Sequence, residues 1–278
     1  MAVRRASSEA AGGDRRRRKL VGEGAGVASS SSEEGAGSSP PSAPSALPVA
    51  LPTPRLGGIE PPRAAASPSS RRVTFVLDGA TLETAKIGKG YELLSGDEHA
   101  GFLRKHGKDP AAFRPDIAHA ALLAVLDSPL NKAGHVTDVF VRTSKNVLFR
   151  VDPSTRLPRT PRRFAGLMVQ LLHKLSIRST NGPDRLLRVV KGPVQKLLPA
   201  GAHRVAFSVS AKEIVKARER FATHDDDVPL VFVVGAFSHG HVDDGWVDEY
   251  LSISKYPLSA VVAIGRITGA LEDKWGIL

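Results

Sequence analysis

The last third of the chain alternates short apolar runs with helical patterns, and this alternation restricts the fold more than any other feature of the sequence. "RVAFSVS", "VPLVFVVGAF" and "YLSIS" read as strands, while "AKEIVKARERFA" and the segment from about Leu258 to Lys274 read as helices. Strands that are apolar along their whole length have both faces covered. The expectation is therefore an α/β domain: a mainly parallel sheet with helices on both faces. Upstream, "VTFVLD" from Val73 is another buried-strand pattern, with a helix predicted near 80–86 and a second across "DIAHAALLAVL" (116–126). "VTDVFVRT" and "VLFRVD", separated by "SKN", predict a hairpin. A helix from Pro161 and a shorter one near 185–197 complete the expected order.

Residues 1–72 differ in kind. Ser, Ala, Gly and Pro dominate there, with hardly any aromatic or β-branched side chains to build a core, so this tail is expected to be disordered. Residues 73–278 are expected to form one domain. The start, "MAVRRASSEAAGG", lacks the apolar centre of a secretory signal, and the cluster Arg15 to Lys19 reads as a nuclear address. No run approaches the roughly 20 apolar residues that span a bilayer. The chain has no cysteine, which excludes disulfides, thiolate metal sites and cysteine nucleophiles.

The net charge of +11 is concentrated. From Arg142 to Lys191 there are twelve Lys or Arg against only Asp152 and Asp184, which points to a polyanionic partner, nucleic acid before membrane. Within that segment, "RLPRTPRRFAGLMVQLLHK" places four arginines in front of an apolar stripe of Phe164, Leu167, Met168, Leu171, Leu172 and Leu175. Thr160 is the expected N-cap and Pro161 the first helical residue. Arg156 and Arg159 then precede the helix, with Arg162 and Arg163 in its first turn. That end of a helix is already positive, so clustered cations there are unfavourable unless an anion such as a phosphate arrives. The plainer reading is a solvated basic face with acidic partners elsewhere in the fold.

Other motifs are less specific. Gly235 ends "LVFVVG" and Gly240 follows; glycines at the carboxyl end of such a strand let backbone amides approach a ligand, or simply make a turn. Neither a GxGxxG nor a P-loop pattern occurs. "ISKYPLSAVVAIG" sets Tyr256 and Pro257 before a small-residue helix. His224 with Asp225, Asp226 and Asp227, and His239 with His241, have metal-ligating chemistry, but their spacing matches no ligand motif and no metal is expected. No Ser, His and Asp set with a nucleophile elbow is present. In "RPDI", Asp116 either favours the helix dipole or orients Arg114 through a charge-assisted pair.

Taken together, "RPDIAHAALLAVLDSPLNKAG", "RLPRTPRRFAGLMVQLLHKLSIRS", "VGAFSHG" and "ISKYPLSA" closely resemble the eukaryotic small-subunit rRNA pseudouridine N1-methyltransferases, ribosome-biogenesis enzymes of the SPOUT class. The resemblance runs from about Val73 to Leu278 and includes the closing "EDKWGIL". It implies a C-terminal trefoil knot, a homodimer, and S-adenosylmethionine held by Phe207, Gly235, Gly240 and the stretch Ile253, Ser254, Lys255, Tyr256, Pro257 and Leu258. It assigns RNA binding to Arg114, Arg156, Arg159 and Arg163, with Asp116 holding Arg114, and identifies no general base. It also implies small-subunit rRNA and pre-ribosomal assembly factors as partners, in the nucleus and nucleolus. The chain departs from the family pattern at Phe237, Ser238 and His239, where relatives often have Met, Ala and Arg, and the segment from His241 to Trp246 is short. The alternative function is a non-catalytic RNA-binding assembly factor for the small subunit.

Overall fold

The computed structural model describes residues 70–180, 182–242 and 245–278. Apart from residues 70–72, the segment expected to be a disordered tail lies outside the described residues. In chain order the strands and helices are β1 (Val73–Ala80), β2 (Thr84–Ile87), β3 (Gly90–Leu93), α1 (Ala100–Lys105), α2 (Pro115–Asp127), α3 (Pro129–Lys132), β4 (Val136–Thr143), β5 (Leu148–Val151), α4 (Pro161–Lys174), β6 (Ser176–Arg178) and β7 (Arg185–Val190). They continue with β8 (His203–Phe207), β9 (Glu213–Ile214), α5 (Ala217–Ala222), β10 (Leu230–Gly235), β11 (Glu249–Ser252) and α6 (Ala260–Trp275).

One sheet has the order β6-β7-β5-β4-β1-β10-β8-β11-β9. From β4 through β9 every neighbouring pair is parallel, while β4–β5, β5–β7 and β7–β6 are antiparallel. This is the expected mainly parallel α/β sheet, and β4 with β5 is the expected hairpin. Alternate residues of the central strands separate two apolar layers. Val73, Phe75 and Leu77 of β1 and Phe232 and Val234 of β10 pack with α2, α4, α5 and α6. Val76, Val231 and Val233 face the other way, under Val194 and Val242 with Trp246 beside them.

These helices therefore lie on one face, not on both as expected, and crossover handedness is the reason. The steps from β1 to β4 and from β8 to β10 run the same way along the sheet, so right-handed connections put α2 and α5 on the same side. The step from β10 to β11 runs the opposite way, past β8. Of its connection, Phe237, Val242, Trp246 and Val247 accordingly pack on the other face.

Three predicted helices are corrected. Residues 80–86 end β1 and begin the β2–β3 hairpin, whose turn uses Gly88 at φ +60°. Residues 185–197 begin with β7 (Arg185–Val190), paired on both sides, and end in a single 3₁₀ turn at Val194–Leu197. Of 211–222 only Ala217–Ala222 is helical, because Glu213 and Ile214 pair with β11. α4 begins at Pro161 as expected and buries Phe164, Met168 and Leu171. The Thr160 side chain makes no capping hydrogen bond, however, and Leu175 ends the helix in a left-handed conformation, exposed instead of joining the stripe.

α6 starts at Ser259, whose Oγ accepts from the Val262 amide, and stops at Gly276 with φ +63°. Asp226 fastens its far end. This carboxylate accepts from Trp275 Nε1 (2.9 Å) and Arg71 Nε (3.0 Å) and pairs with Lys274 Nζ (2.7 Å). Burial pushes the Asp226 carboxyl up, but the hydrogen bonds from Lys274, Trp275 and Arg71 more than offset it and hold it at about 2. A carboxyl held below its ordinary value of 3.8 adds stability that is complete above that value and is lost as pH falls through 2. Asp226→Asn is thus expected to be less stable than the wild type in urea at neutral pH. The gap should close as pH is lowered toward 2; an equal gap at both pH values would contradict the assignment.

Candidate cofactor cavity and its arginine flank

In parallel sheets the carboxyl ends of the strands, where chains leave for the next crossover, are where ligands bind. Here the ends of β8, β10 and β11 open into a cavity of about 810 Å³. Phe207 closes β8, Gly235 closes β10 and Ile253 follows β11, and all three line it. Gly240, Ser254, Tyr256, Pro257 and Leu258 also line it. Lys255 does not. It borders a separate depression with Ile214, Tyr256 and Arg266.

The segment after β11 is pinned by its own polar groups. Ser252 Oγ donates to the Ser254 carbonyl (2.7 Å), the Tyr256 amide donates to Ser254 Oγ (3.0 Å), and Arg266 reaches the Ile253 carbonyl (3.3 Å). Opposite it runs the connection from β10. There the Ala236 amide donates to the Asp78 carbonyl (2.7 Å) and Ser238 Oγ to the Ala111 carbonyl (3.0 Å). Beneath, Asp78 is almost fully buried and takes a two-pronged hydrogen bond from Arg142 (2.5 and 2.9 Å), which fixes the end of β1.

Arg114 stands at the cavity wall, immediately before α2. Its Nε and Nη2 donate to the two oxygens of Asp116 at 2.8 and 2.7 Å, and its amide donates to Thr81 Oγ1 at 3.0 Å. The hydrogen bond from Arg114 holds the Asp116 carboxyl below the usual carboxylate range against the opposing effect of burial, and the same hydrogen bond raises Arg114. Of the two roles open for Asp116, the geometry adds the second: it is a charge-assisted clamp on Arg114. A carboxylate so engaged is a poor proton acceptor.

The basic linker before α4 lies along α2. His119, buried one turn beyond Arg114, stacks on Phe164 (centroids 4.3 Å apart, 18° between planes) and donates from Nε2 to the Pro158 carbonyl at 2.7 Å. Leu157 is buried, and Asn131 Nδ2 holds the Pro153 carbonyl at 3.0 Å. Arg159 pairs with Asp127 at 2.7 Å, at the far end of α2; with the Arg159 side chain 75% exposed, such a pair contributes little. Among the described residues no ion pair involves Arg156, Arg162 or Arg163, all exposed. Both readings of this cluster thus have a share: Arg159 has its acid, and Arg156, Arg162 and Arg163 stand open.

Several residues at the cavity lie outside the expected cofactor set. Asp97 and Ala111 arrive from the β3–α2 connection, His239 and His241 from the loop after β10. His119 is visible as part of the flank only through its tertiary neighbours.

Comparison with known proteins bears on the same segments. The family model described as EMG1/NEP1 methyltransferase matches residues 75–272. The Mus musculus protein named ribosomal RNA small subunit methyltransferase NEP1 is 50% identical over 208 residues, covering 75% of this chain and 84% of its own. The Homo sapiens protein of that name gives the same identity and coverage. Archaeoglobus fulgidus Nep1, solved bound to S-adenosylhomocysteine, has the same fold at a TM-score of 0.55 and 23% identity, over 74% of this chain and 99% of that one. By the extent of these matches, the chain belongs to the EMG1/NEP1 methyltransferase family.

Proposed function

We propose that this protein transfers a methyl group from S-adenosylmethionine to N1 of a pseudouridine in small-subunit rRNA. The observation that carries the reading is that one cavity joins the segments Gly235–Gly240 and Ile253–Leu258 to the clamped guanidinium of Arg114. The names of the relatives support the same substrate class.

The residues fit the cofactor. The volume falls within the roughly 300–1,000 Å³ typical of small-molecule sites. Phe207, Val234, Ile253 and Leu258 supply apolar wall, and the two loops supply backbone donors and acceptors. When bound, S-adenosylmethionine supplies an electrophilic methyl group on a sulfonium, for which no metal is needed.

Substrate choice follows from bonding. N1 of uridine is attached to the sugar, whereas pseudouridine carries its sugar on carbon and keeps a proton on N1. Arg114, held rigid by Asp116, stabilises negative charge on the base as the N1 proton passes to water. The open cations Arg156 and Arg163, with Arg159, hold phosphates of a hairpin whose loop base is unstacked to enter the cavity. Further parts of the reading concern assembly. Two copies pair through the outer side of α6, where exposed Val262 runs into Gly265 and Gly269 beside exposed Tyr256 and Ile214. The protein works with pre-ribosomal assembly factors in the nucleus and nucleolus, with Arg15–Lys19 as the address.

The test uses methyl-labelled S-adenosylmethionine with two matched RNA hairpins, one carrying uridine and one pseudouridine in the loop. Label is expected only in the pseudouridine hairpin, at N1. Tight binding of both hairpins without label would favour a non-catalytic assembly factor.

A further inference from the structure

Three glycines face one aromatic ring. A Cβ added to Gly79 would lie 2.5 Å from Cδ1 of Phe237, one on Gly235 2.7 Å from its Cζ, and one on Gly240 3.4 Å from its Cε2. They come from three stretches of chain: the end of β1, the end of β10, and the far side of the loop that Phe237 itself begins. Gly79 at φ +71° and Gly240 at φ +137° also hold backbone conformations that side chains disfavour. The ring sits in a socket made of bare backbone, and a side chain at Gly79 or Gly235 would have to displace it.

We propose that Phe237 is the positioning residue of the cavity: seated in this socket, its ring fixes the path of residues 235–242 and so the shape of the wall that receives the cofactor. The proposal rests on the cofactor reading given above. It changes the meaning of the glycines. Gly235 is bare because the ring needs the space, not because a ligand touches it, and Gly79, which does not line the cavity, belongs to the site through the ring. The physical reason is packing. Phe237 is the large side chain that anchors this loop between Ala236, tied to Asp78, and Val242, buried on the sheet. Without the ring, a void opens against three backbone segments, and the loop loses the fixed aim of its amides.

The test is the affinity of the full chain for S-adenosylhomocysteine, by calorimetry, in the wild type, Phe237→Ala, Gly235→Ala and their double mutant. Each single change is expected to weaken binding about tenfold or more, and the double to be no weaker than Phe237→Ala alone, because neighbours that act through one contact are not additive. Phe237→Met, whose flexible side chain fills irregular space, should recover most of the loss and serves if Phe237→Ala fails to fold. Losses that simply add, or unchanged binding in Phe237→Ala, would overturn the proposal. Tighter binding in Phe237→Ala would also overturn it, making the ring a plug instead of a support. A wild-type protein that binds no S-adenosylhomocysteine would instead remove the cofactor reading itself.

Discussion

Gly235→Trp is expected to lose S-adenosylhomocysteine binding in calorimetry and to lower methyl transfer by about 100-fold or more, since displacements of even 1 Å at a reacting site cost that much. A Cβ at this position already overlaps the Phe237 ring, and an indole would fill the cavity at the end of β10. RNA affinity should be unchanged. In the proposed reading the phosphates are held by Arg156, Arg159 and Arg163, just before and in the first turn of α4, and none of these three lines the cavity. Retained cofactor affinity in this variant would move the binding site away from the cavity.

The second large effect is on stability. Phe232 of β10 is fully buried with its ring centroid 5.2 Å from Phe221, 5.6 Å from Phe75 and 5.7 Å from Phe207. Phe232→Ala is expected to cost about 3–5 kcal/mol, a substantial part of the stability of an ordinary domain. Urea unfolding followed by circular dichroism measures it. Because Phe207 is both a neighbour of Phe232 and a wall of the cavity, the folded fraction of this variant should also bind S-adenosylhomocysteine more weakly. A loss below about 1 kcal/mol would mean that the surrounding rings close over the space.

The elements readable in the sequence are those with a strong period of their own. β10 and β1 are apolar throughout because both faces are covered, and α4 shows its stripe from Phe164 to Leu171. The segments that were misread owe their structure to partners. "RLLRVV" has no strict alternation, yet it is a strand because β5 and β6 flank it, and Glu213–Ile214 extends only where β11 offers an edge. The face chosen by the helices depends on the order of strands, which no local pattern encodes.

The site divides in the same way. Arg114 and Asp116 stand two residues apart, so their pairing was open to inspection in the sequence. The loops at 235–240 and 253–258 were recognisable through the family resemblance, and seven of their expected residues together with Phe207 meet at one cavity. Lys255 points to a different depression because the turn at Ser254 directs it away. His119 could not have been read as the residue that seats the arginine linker, since Pro158 and Phe164 are distant from it in sequence.

The strand order also constrains how the molecule is made. β1, the first strand, is the middle of the sheet, and one of its two neighbours is β10, near the other end of the chain. During synthesis β1 can pair with β4 early, but the backbone groups of its second edge stay unpaired until Leu230–Gly235 has emerged. Pairing so far apart in sequence is slow because a long loop must close first. An unpaired apolar edge is also a template for association with other chains. The arrangement that gathers three strand ends around one cavity therefore ties the solubility of the growing chain to the arrival of its last third.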